Sequence, residues 1–282
     1  MARLVSAALQ DVVALLGCPA AGNPAQYLFE RAFAAAGLDW RFLSLDVASD
    51  RIGDALAGVS ALGFRGCILD GPLRKAALPF LGEASPATAF AGAASLVHTA
   101  GDGVLFGHMT DGRAVLAALR MHADVADEHL LVIGAGAMAR ATALELALAG
   151  AREVLVCNRH AERASALVDD IAALGRAMAT VVPWQPSIEV PERVRVVVSA
   201  VPSLAGRTAP EWRGLRGDHV VIETAIATGT TAMAAAATRA GACFIDGLEV
   251  HCQRTAIDFQ AWTGREADTD QLREALDEFL DA

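Results

Sequence analysis

The stretch that decides the fold is His129-Leu-Leu-Val-Ile133-Gly134-Ala135-Gly136-Ala137-Met138-Ala139-Arg140. An apolar run of strand character enters a glycine turn. A helical run, Ala137–Ala149, follows and stops at Gly150. A second strand, Val154-Leu-Val156, then leads to Asn158-Arg159. Strand, glycine turn, helix and strand in this order make the mononucleotide half of a dinucleotide-binding fold. Gly134 permits the tight turn, Gly136 leaves no side chain between backbone and pyrophosphate, and Ala139 lets helix and strand pack closely. Ala135, Ala137 and Met138 complete the predicted phosphate cradle, where the helix N-terminus directs its amides at an anion.

The end of the second strand selects the cofactor. An enzyme for NAD usually places an acidic residue there, to bind the ribose 2′-hydroxyl. Asn158 and Arg159 do not repel a 2′-phosphate, and Arg159 offers it a forked, charge-assisted pair. The expected cofactor is therefore NADP.

Working outward, three strand–helix units precede this segment. The strands are Val12–Leu16, Trp40–Leu45 and Phe64–Leu69; the helices are Pro24–Ala36, Asp50–Leu62 and a run from Pro72 to about Leu81. Such alternation implies a mostly parallel sheet. Ser95–Thr99 and Val104–Gly107 read as a hairpin. Thr110 and Asp111 cap the next helix, Gly112–Met121. Later strands are expected at Ala179–Val182, Val194–Ser199, His219–Glu223 and Ala242–Ile245. Ala232–Ala237 reads as helix, and Pro183–Glu192 as the most loop-like segment. Helices at Glu249–Trp262 and Asp268–Leu280 close the chain. The predicted architecture is α/β: an N-terminal open α/β substrate domain (1–109 plus 247–282), a Rossmann NADP-binding domain (110–246), and a cleft between them. Ligands in such folds lie at the carboxyl ends of the strands.

The composition sets outer limits. The 282 residues, 54% hydrophobic and 20% charged, describe a globular chain of one large or two ordinary domains. A net charge of −10 offers no basic face to nucleic acid. No stretch is long and apolar enough to span a membrane. Cys18, Cys67, Cys157, Cys243 and Cys252 match neither a disulfide framework nor a zinc site, so reduced thiols and a cytoplasmic location are expected, without a metal. Leu15-Leu16-Gly17-Cys18 resembles a lipoprotein cleavage box, but Asp11 interrupts its apolar run and Val12–Gly17 reads well as a strand.

Lysine and arginine total 23, and Lys75 is the only lysine, which leaves 22 arginines. Lysine can give up its proton when its pKa is lowered, whereas arginine effectively cannot. A hydride transfer between alcohol and ketone also moves one proton. Lys75 and Asp111 form a sensible proton-handling pair, although Lys75 also fits a solvated helix position and Asp111 a helix cap. His108 and His251 are further acid–base candidates.

At this point a family resemblance becomes specific. Gly17-Cys-Pro19, Gly63-Phe-Arg-Gly66 followed by Pro72, Ser85-Pro86, Gly92-Ala93, Gly107-His-Met-Thr110-Asp111-Gly112, Gly134–Arg140, Asn158-Arg159, Glu162-Arg163-Ala164 and Phe259-Gln-Ala-Trp262-Thr263-Gly264 resemble the shikimate dehydrogenase family over nearly the whole chain. The resemblance implies NADP-dependent reduction of 3-dehydroshikimate to shikimate, a place in amino-acid biosynthesis, and a Lys–Asp pair for the proton. It adds Arg163, Ala200, Val201 and Pro202 to the cofactor-binding set. It implies a monomer or homodimer whose partner is a small molecule.

The departures gather in the substrate site. The family's two carboxylate-binding serines fall on Asn23 and Ala25, and its asparagine and threonine after the third strand on Ile68 and Asp70. Its catalytic lysine falls, without gaps, on Arg74, one place before Lys75. Other polar positions fall on Ser95, Met109, Ile226 and Arg254, with Gln253 beside the last. Thr110 and Asp111 survive. Asn23, Asp70, Arg74, Ser95, Thr110, Gln253 and Arg254 are thus the substrate-binding candidates, with Arg74 and Arg254 able to grip an anion from a new direction. A site that has lost its hydroxyl partners discriminates against the ligand that used them. The leading expectation is an NADP-dependent alcohol/ketone oxidoreductase with an altered pocket, acting on a small hydroxy acid. Its rivals are a catalytically lapsed NADP-binding sensor or scaffold, and a methylene-tetrahydropterin type of dehydrogenase with an apolar slot at Ile68, Met109 and Ile226.

Overall fold

A computed structural model describes residues 10–201, 210–227 and 229–281. The chain divides into two compact units, Met1–Met109 with Thr255–Ala282, and Thr110–Arg254.

The first unit begins with β1 (Asp11–Gly17), α1 (Ala25–Ala35), β2 (Trp40–Asp46), α2 (Ile52–Ala61) and β3 (Gly66–Leu69). β1 lies between β2 and β3 and is parallel to both. A strand covered on both sides and both faces must be apolar along its length, which is why Val13–Leu16 is fully buried without alternation. Next come α3 (Leu73–Ala76), β4 (Glu83–Ala84), α4 (Pro86–Ala91), β5 (Leu96–Thr99) and β6 (Leu105–His108). The sheet order is β2-β1-β3-β5-β6-β4, with β5 antiparallel to both β3 and β6.

The sequence reading runs the helix after Pro72 to about Leu81. It stops at Ala76, and a single tight turn, Leu78–Phe80, follows. Pro79 has no amide to give to the Lys75 carbonyl, so the helical ladder cannot continue. Neither β4 nor α4 belongs to the sequence reading. Ser85 caps α4 by accepting the Thr88 amide at 3.2 Å.

The second unit holds α5 (Asp111–Arg120), β7 (His129–Ile133), α6 (Ala137–Leu148), β8 (Glu153–Cys157), α7 (Ala161–Ala173), β9 (Met178–Val182), β10 (Ser187–Glu189), β11 (Val194–Ser199), β12 (Glu211–Arg213), β13 (Val220–Glu223), α8 (Ala232–Ala240) and β14 (Cys243–Ile245). Six of its strands form one parallel sheet in the order β14-β13-β11-β7-β8-β9. The order reverses beside β7, the switch point at which such sheets take a ligand. The segment Pro183–Glu192, read as loop, contains β10, which pairs in parallel with β12. Ile188 and Val190 are buried in the core beneath it. Their apolar character is visible in the sequence, but a three-residue strand carries too short a pattern to read.

α9 (Gly247–Thr263) and α10 (Thr269–Asp281) end the chain. The unit boundary falls inside α9, at Thr255, instead of at Gly247. The far end of α9 is held in the first unit by Trp262, whose ring nitrogen donates to the Val97 carbonyl at 3.1 Å. Gly66, with φ of 153°, makes that contact possible, because a Cβ there would lie 1.9 Å from the Val97 oxygen.

Candidate functional site

In the second unit the glycine turn has the geometry that phosphate binding requires. Gly134 adopts φ of 122°, and a Cβ there would come within 3.0 Å of the Ala200 carbonyl oxygen. Its amide donates to the Cys157 carbonyl at 2.8 Å, which ties the turn to the end of β8. Gly136 is exposed, and a Cβ there would meet nothing within 4 Å. Open space therefore lies directly over the start of α6. No side chain caps that helix, so its first amides face outward without a side-chain acceptor. Ala139 is fully buried, as close packing of α6 on β7 demands. Ala135, Ala137 and Met138 are half-buried around the turn.

Arg159 follows β8 and is exposed, as is Arg163 on the first turn of α7. Asn158 turns inward and donates to the His160 carbonyl at 2.9 Å, shaping the loop that presents Arg159. Ala200 donates its amide to Ile133 at 2.9 Å, which sets it and Val201 beside the glycine turn. Pro202 lies outside the described residues. An open cradle at a helix start, with exposed arginines after the next strand, fits a dinucleotide bearing a 2′-phosphate.

Thr110 and Asp111 stand at the start of α5. Thr110 occupies the cap position, but its side chain makes no capping bond to the helix. Asp111 is fully buried and lies 3.7 Å from the Arg254 guanidinium, which is itself only 11% exposed. The sequence reading takes Thr110 and Asp111 as caps, Asp111 also as a proton-handling residue, and lets Arg254 grip a substrate anion. In the structure Arg254 faces the Asp111 carboxylate, a counter-charge for a buried acid. Gln253 donates to Glu249 at 2.9 Å, one turn earlier in α9. His251 lies on the same helix and is half-buried.

The first unit gathers a separate group around the end of β3. Asn23, in the loop after β1, donates to Asp70 at 2.9 Å. The other Asp70 oxygen accepts the Gly71 amide at 2.8 Å. The Leu69 backbone links the remaining candidates: its carbonyl accepts from Arg74 Nε at 3.1 Å, and its amide donates to the carbonyl of the fully buried Ser95 at 2.9 Å. Of the two cations on α3, Arg74 is folded back and half-buried, and Lys75 is exposed. Ile68 and Met109 are buried core residues and Ile226 is half-buried. His108 packs its ring against Phe106, with centroids 4.6 Å apart.

The Asn23–Asp70 and Asp111–Arg254 pairings are absent from the sequence reading. The first had a signal: the two residues leave adjacent parallel strands, β1 and β3, at the same edge. The second joins residues 143 positions apart (254 − 111) and left no trace in local spacing. Among the described residues, no group of three or more histidine, cysteine or acidic side chains could hold a metal ion. Among the described residues, no helix is long and apolar enough to cross a membrane.

A parallel sheet with a glycine turn at its switch point and an uncapped helix over open space defines a dinucleotide-binding α/β protein. The chain belongs to the shikimate dehydrogenase family. Residues 116–204 match the family described as Shikimate / quinate 5-dehydrogenase, and residues 15–97 match the Shikimate dehydrogenase substrate binding domain. The protein named Shikimate dehydrogenase (NADP(+)) from Streptococcus pyogenes serotype M49 is 31% identical over 284 residues, covering 94% of this chain and 96% of that one. Among solved structures, the ligand-free 5-ketofructose reductase of Gluconobacter sp. strain CHM43 superposes with a TM-score of 0.90 at 28% identity, over 96% of this chain and 99% of the other. Shikimate 5-dehydrogenase from Thermus thermophilus, solved with NADP(H) and shikimate, gives 0.82 at 27% identity, over 96% and 100%.

Proposed function

We propose that this NADP-dependent dehydrogenase interconverts a ketone and a secondary alcohol on a small polar molecule, through a pocket altered from that of its shikimate-acting relatives. The observation that carries the reading is the cradle over α6: Gly134 strained, Gly136 open, and Arg159 exposed beyond β8. Gly134–Ala139 and Ala200 would hold the pyrophosphate region, and Asn158, Arg159 and Arg163 the 2′-phosphate end. NADP supplies the hydride-exchanging ring.

The chain's own residues handle the rest. An oxygen that gains or loses hydride must gain or lose one proton. Lys75 is the residue assigned to carry that proton at Nζ, with Asp111 as the second member of the proton-handling pair. The Arg254 guanidinium lies 3.7 Å from the fully buried Asp111 carboxylate. Ser95, Asn23 and Asp70 in the first unit, and Thr110 in the second, are the candidates for orienting the substrate's hydroxyls. Two classes of substrate name occur among the relatives, a cyclic hydroxy acid and a keto sugar, so the pocket is compatible with either at the level of fold.

The test is NADPH oxidation with 3-dehydroshikimate, 5-ketofructose and other small hydroxy ketones. The double variant Lys75→Met, Asp111→Asn is expected to lose turnover by about 10²–10⁴-fold while still binding NADPH. Normal turnover by that variant overturns the assignment of the pair. Tight NADPH binding with no ketone reduced by the unaltered chain favours a sensor or scaffold.

A further inference from the structure

In the sheet of the second unit, Ile133, Ser199 and Glu223 are register partners at the carboxyl exits of β7, β11 and β13. Ile133 leads into the glycine turn at Gly134, and Ser199 into Ala200 beside that turn. Glu223 therefore stands two strands from the turn, on the side away from β8 and Arg159. Neighbouring strands lie about 4.8 Å apart, so the separation is about 10 Å.

Glu223 is half-buried, and its carboxylate accepts the Thr231 hydroxyl. Thr231 caps α8, where its oxygen accepts the Ala234 amide at 3.0 Å. The carboxylate is thus fixed between a strand exit and a helix start. The main chain beside it is fixed as well. The Thr224 amide donates to the Ser199 carbonyl at 3.0 Å. Gly247, at the start of α9, lies so close to Ala225 that a Cβ there would come within 2.2 Å of its carbonyl oxygen.

The elements around Glu223 bring no cation to it. β11 ends in the uncharged Ser199, and α8 carries its one charged residue, Arg239, in its last turn. β14 is followed by Asp246, which accepts the Glu249 amide at 2.9 Å, and Glu249 accepts from Gln253 at 2.9 Å. Both are acids and cannot neutralise a third. Burial raises the Glu223 pKa, and the Thr231 bond offsets this only in part. A half-buried carboxylate without a counter-ion is costly, and such groups gather where function needs a charge.

With the 2′-phosphate end at Arg159, a dinucleotide laid across the switch point carries its nicotinamide half over β11 and β13. Hydride leaves the reduced ring for the carbonyl carbon, a proton reaches the carbonyl oxygen, and the ring is left cationic. We infer that Glu223 is the fixed negative charge at the nicotinamide end, favouring the oxidised cofactor over the reduced one and so driving hydride toward a ketone. This rests on the dehydrogenase reading above and adds the residue that sets the redox balance of the bound cofactor.

The experiment measures dissociation constants on the full chain from about pH 5 to 8, for NADPH by its fluorescence and for NADP+ by competition. The 2′-phosphate titrates in this range too, but both forms carry it, so the ratio of the two constants cancels it. Glu223 is ionised above its raised pKa. The preference for NADP+ is therefore expected at neutral pH, and should fade as pH falls into and below a range above that of ordinary carboxylates. Glu223→Gln should move the ratio toward NADPH about tenfold at neutral pH, the effect of a unit charge about 10 Å away at an effective dielectric of about 20. It should also remove the pH dependence, whereas Glu223→Asp, which keeps the charge, retains most of both. A ratio unchanged in Glu223→Gln, with both cofactors weakened together, assigns Glu223 to holding α8 and overturns the inference. So does a ratio that stays flat with pH in the unaltered chain, a result that needs no variant to fold. Either outcome leaves the dehydrogenase reading intact. That reading fails separately, only if no ketone of the wider panel consumes NADPH.

Discussion

The unit Thr110–Arg254 presents its candidate site through main-chain geometry, while the other unit presents its candidates as side chains near the exits of its strands. The difference follows from how each partner is held. In the proposed cofactor site phosphates would be held by backbone: a Gly134 at positive φ, an open Gly136 and helix amides that any change of main-chain path would remove. A small substrate is held by side chains on loops, and loops tolerate exchange at little cost to folding. Asn23 and Asp70 stand on such loops, after strands that are buried in the core.

The comparison can be broken most severely at Gly136. Gly136→Val fills the space above α6 without touching the core, and is expected to weaken NADP binding by about a hundredfold or more while the melting temperature holds. A fluorescence titration that finds binding intact would detach the cradle from the cofactor. Arg159→Ala is the next largest. It should cost about 1.5–3 kcal/mol of NADP affinity, the worth of a charge-assisted bond, and leave NAD affinity nearly unchanged. Equal losses for both cofactors would place Arg159 away from the 2′-phosphate.

The smallest effect concerns stability. Glu153 accepts from Arg193 at 2.8 Å, from His129 at 2.8 Å and from Thr180 at 2.8 Å, linking the starts of β7 and β8 to the middle of β9 and the residue before β11. The Arg193 bond, followed by those of His129 and Thr180, outweighs burial and lowers its carboxyl pKa to about 2. A depressed folded-state pKa contributes stability above the ordinary carboxylate range, and that contribution is lost as pH falls through about 2. Glu153→Gln should therefore cost about 1–2 kcal/mol near neutral pH, after discounting for the half-exposed Arg193, with the deficit shrinking in acid. A deficit that does not depend on pH would assign the loss to packing.

The sequence makes the nucleotide unit legible because its chemistry is contiguous: strand, turn, helix and arginine fall within 31 residues, 129 to 159. Long elements with a sustained pattern, such as β1, α1 and α6, are equally legible. The substrate unit's architecture is readable, but its site is assembled from separate loops. Asn23 and Asp70 meet only because β1 and β3 are neighbours, and Asp111 meets Arg254 only through the path of α9. Asp111 reads as a cap or a proton-handling residue, and its pairing with Arg254 is not legible, since a helix cap and a buried ion occupy the same sequence position. α3 shows a different gap, because Pro79 ends the ladder and the apolar residues beyond it still mimic a longer helix.

The attachment of Trp262 to Val97 also bears on the order in which the chain can be completed. The first unit supplies its sheet early but needs Phe259, Trp262, Leu272 and Leu276 to finish its core, and all four follow the whole of the second unit. During synthesis the nucleotide unit is complete once Arg254 emerges, while the sheet begun first still shows Phe29, Phe33 and Phe42 without their ring partners from α9. The unit that starts first closes last, so a stop before Trp262 would leave a finished cofactor unit tethered to an open aromatic core. Molecules halted there should be captured by chaperones through the first unit alone.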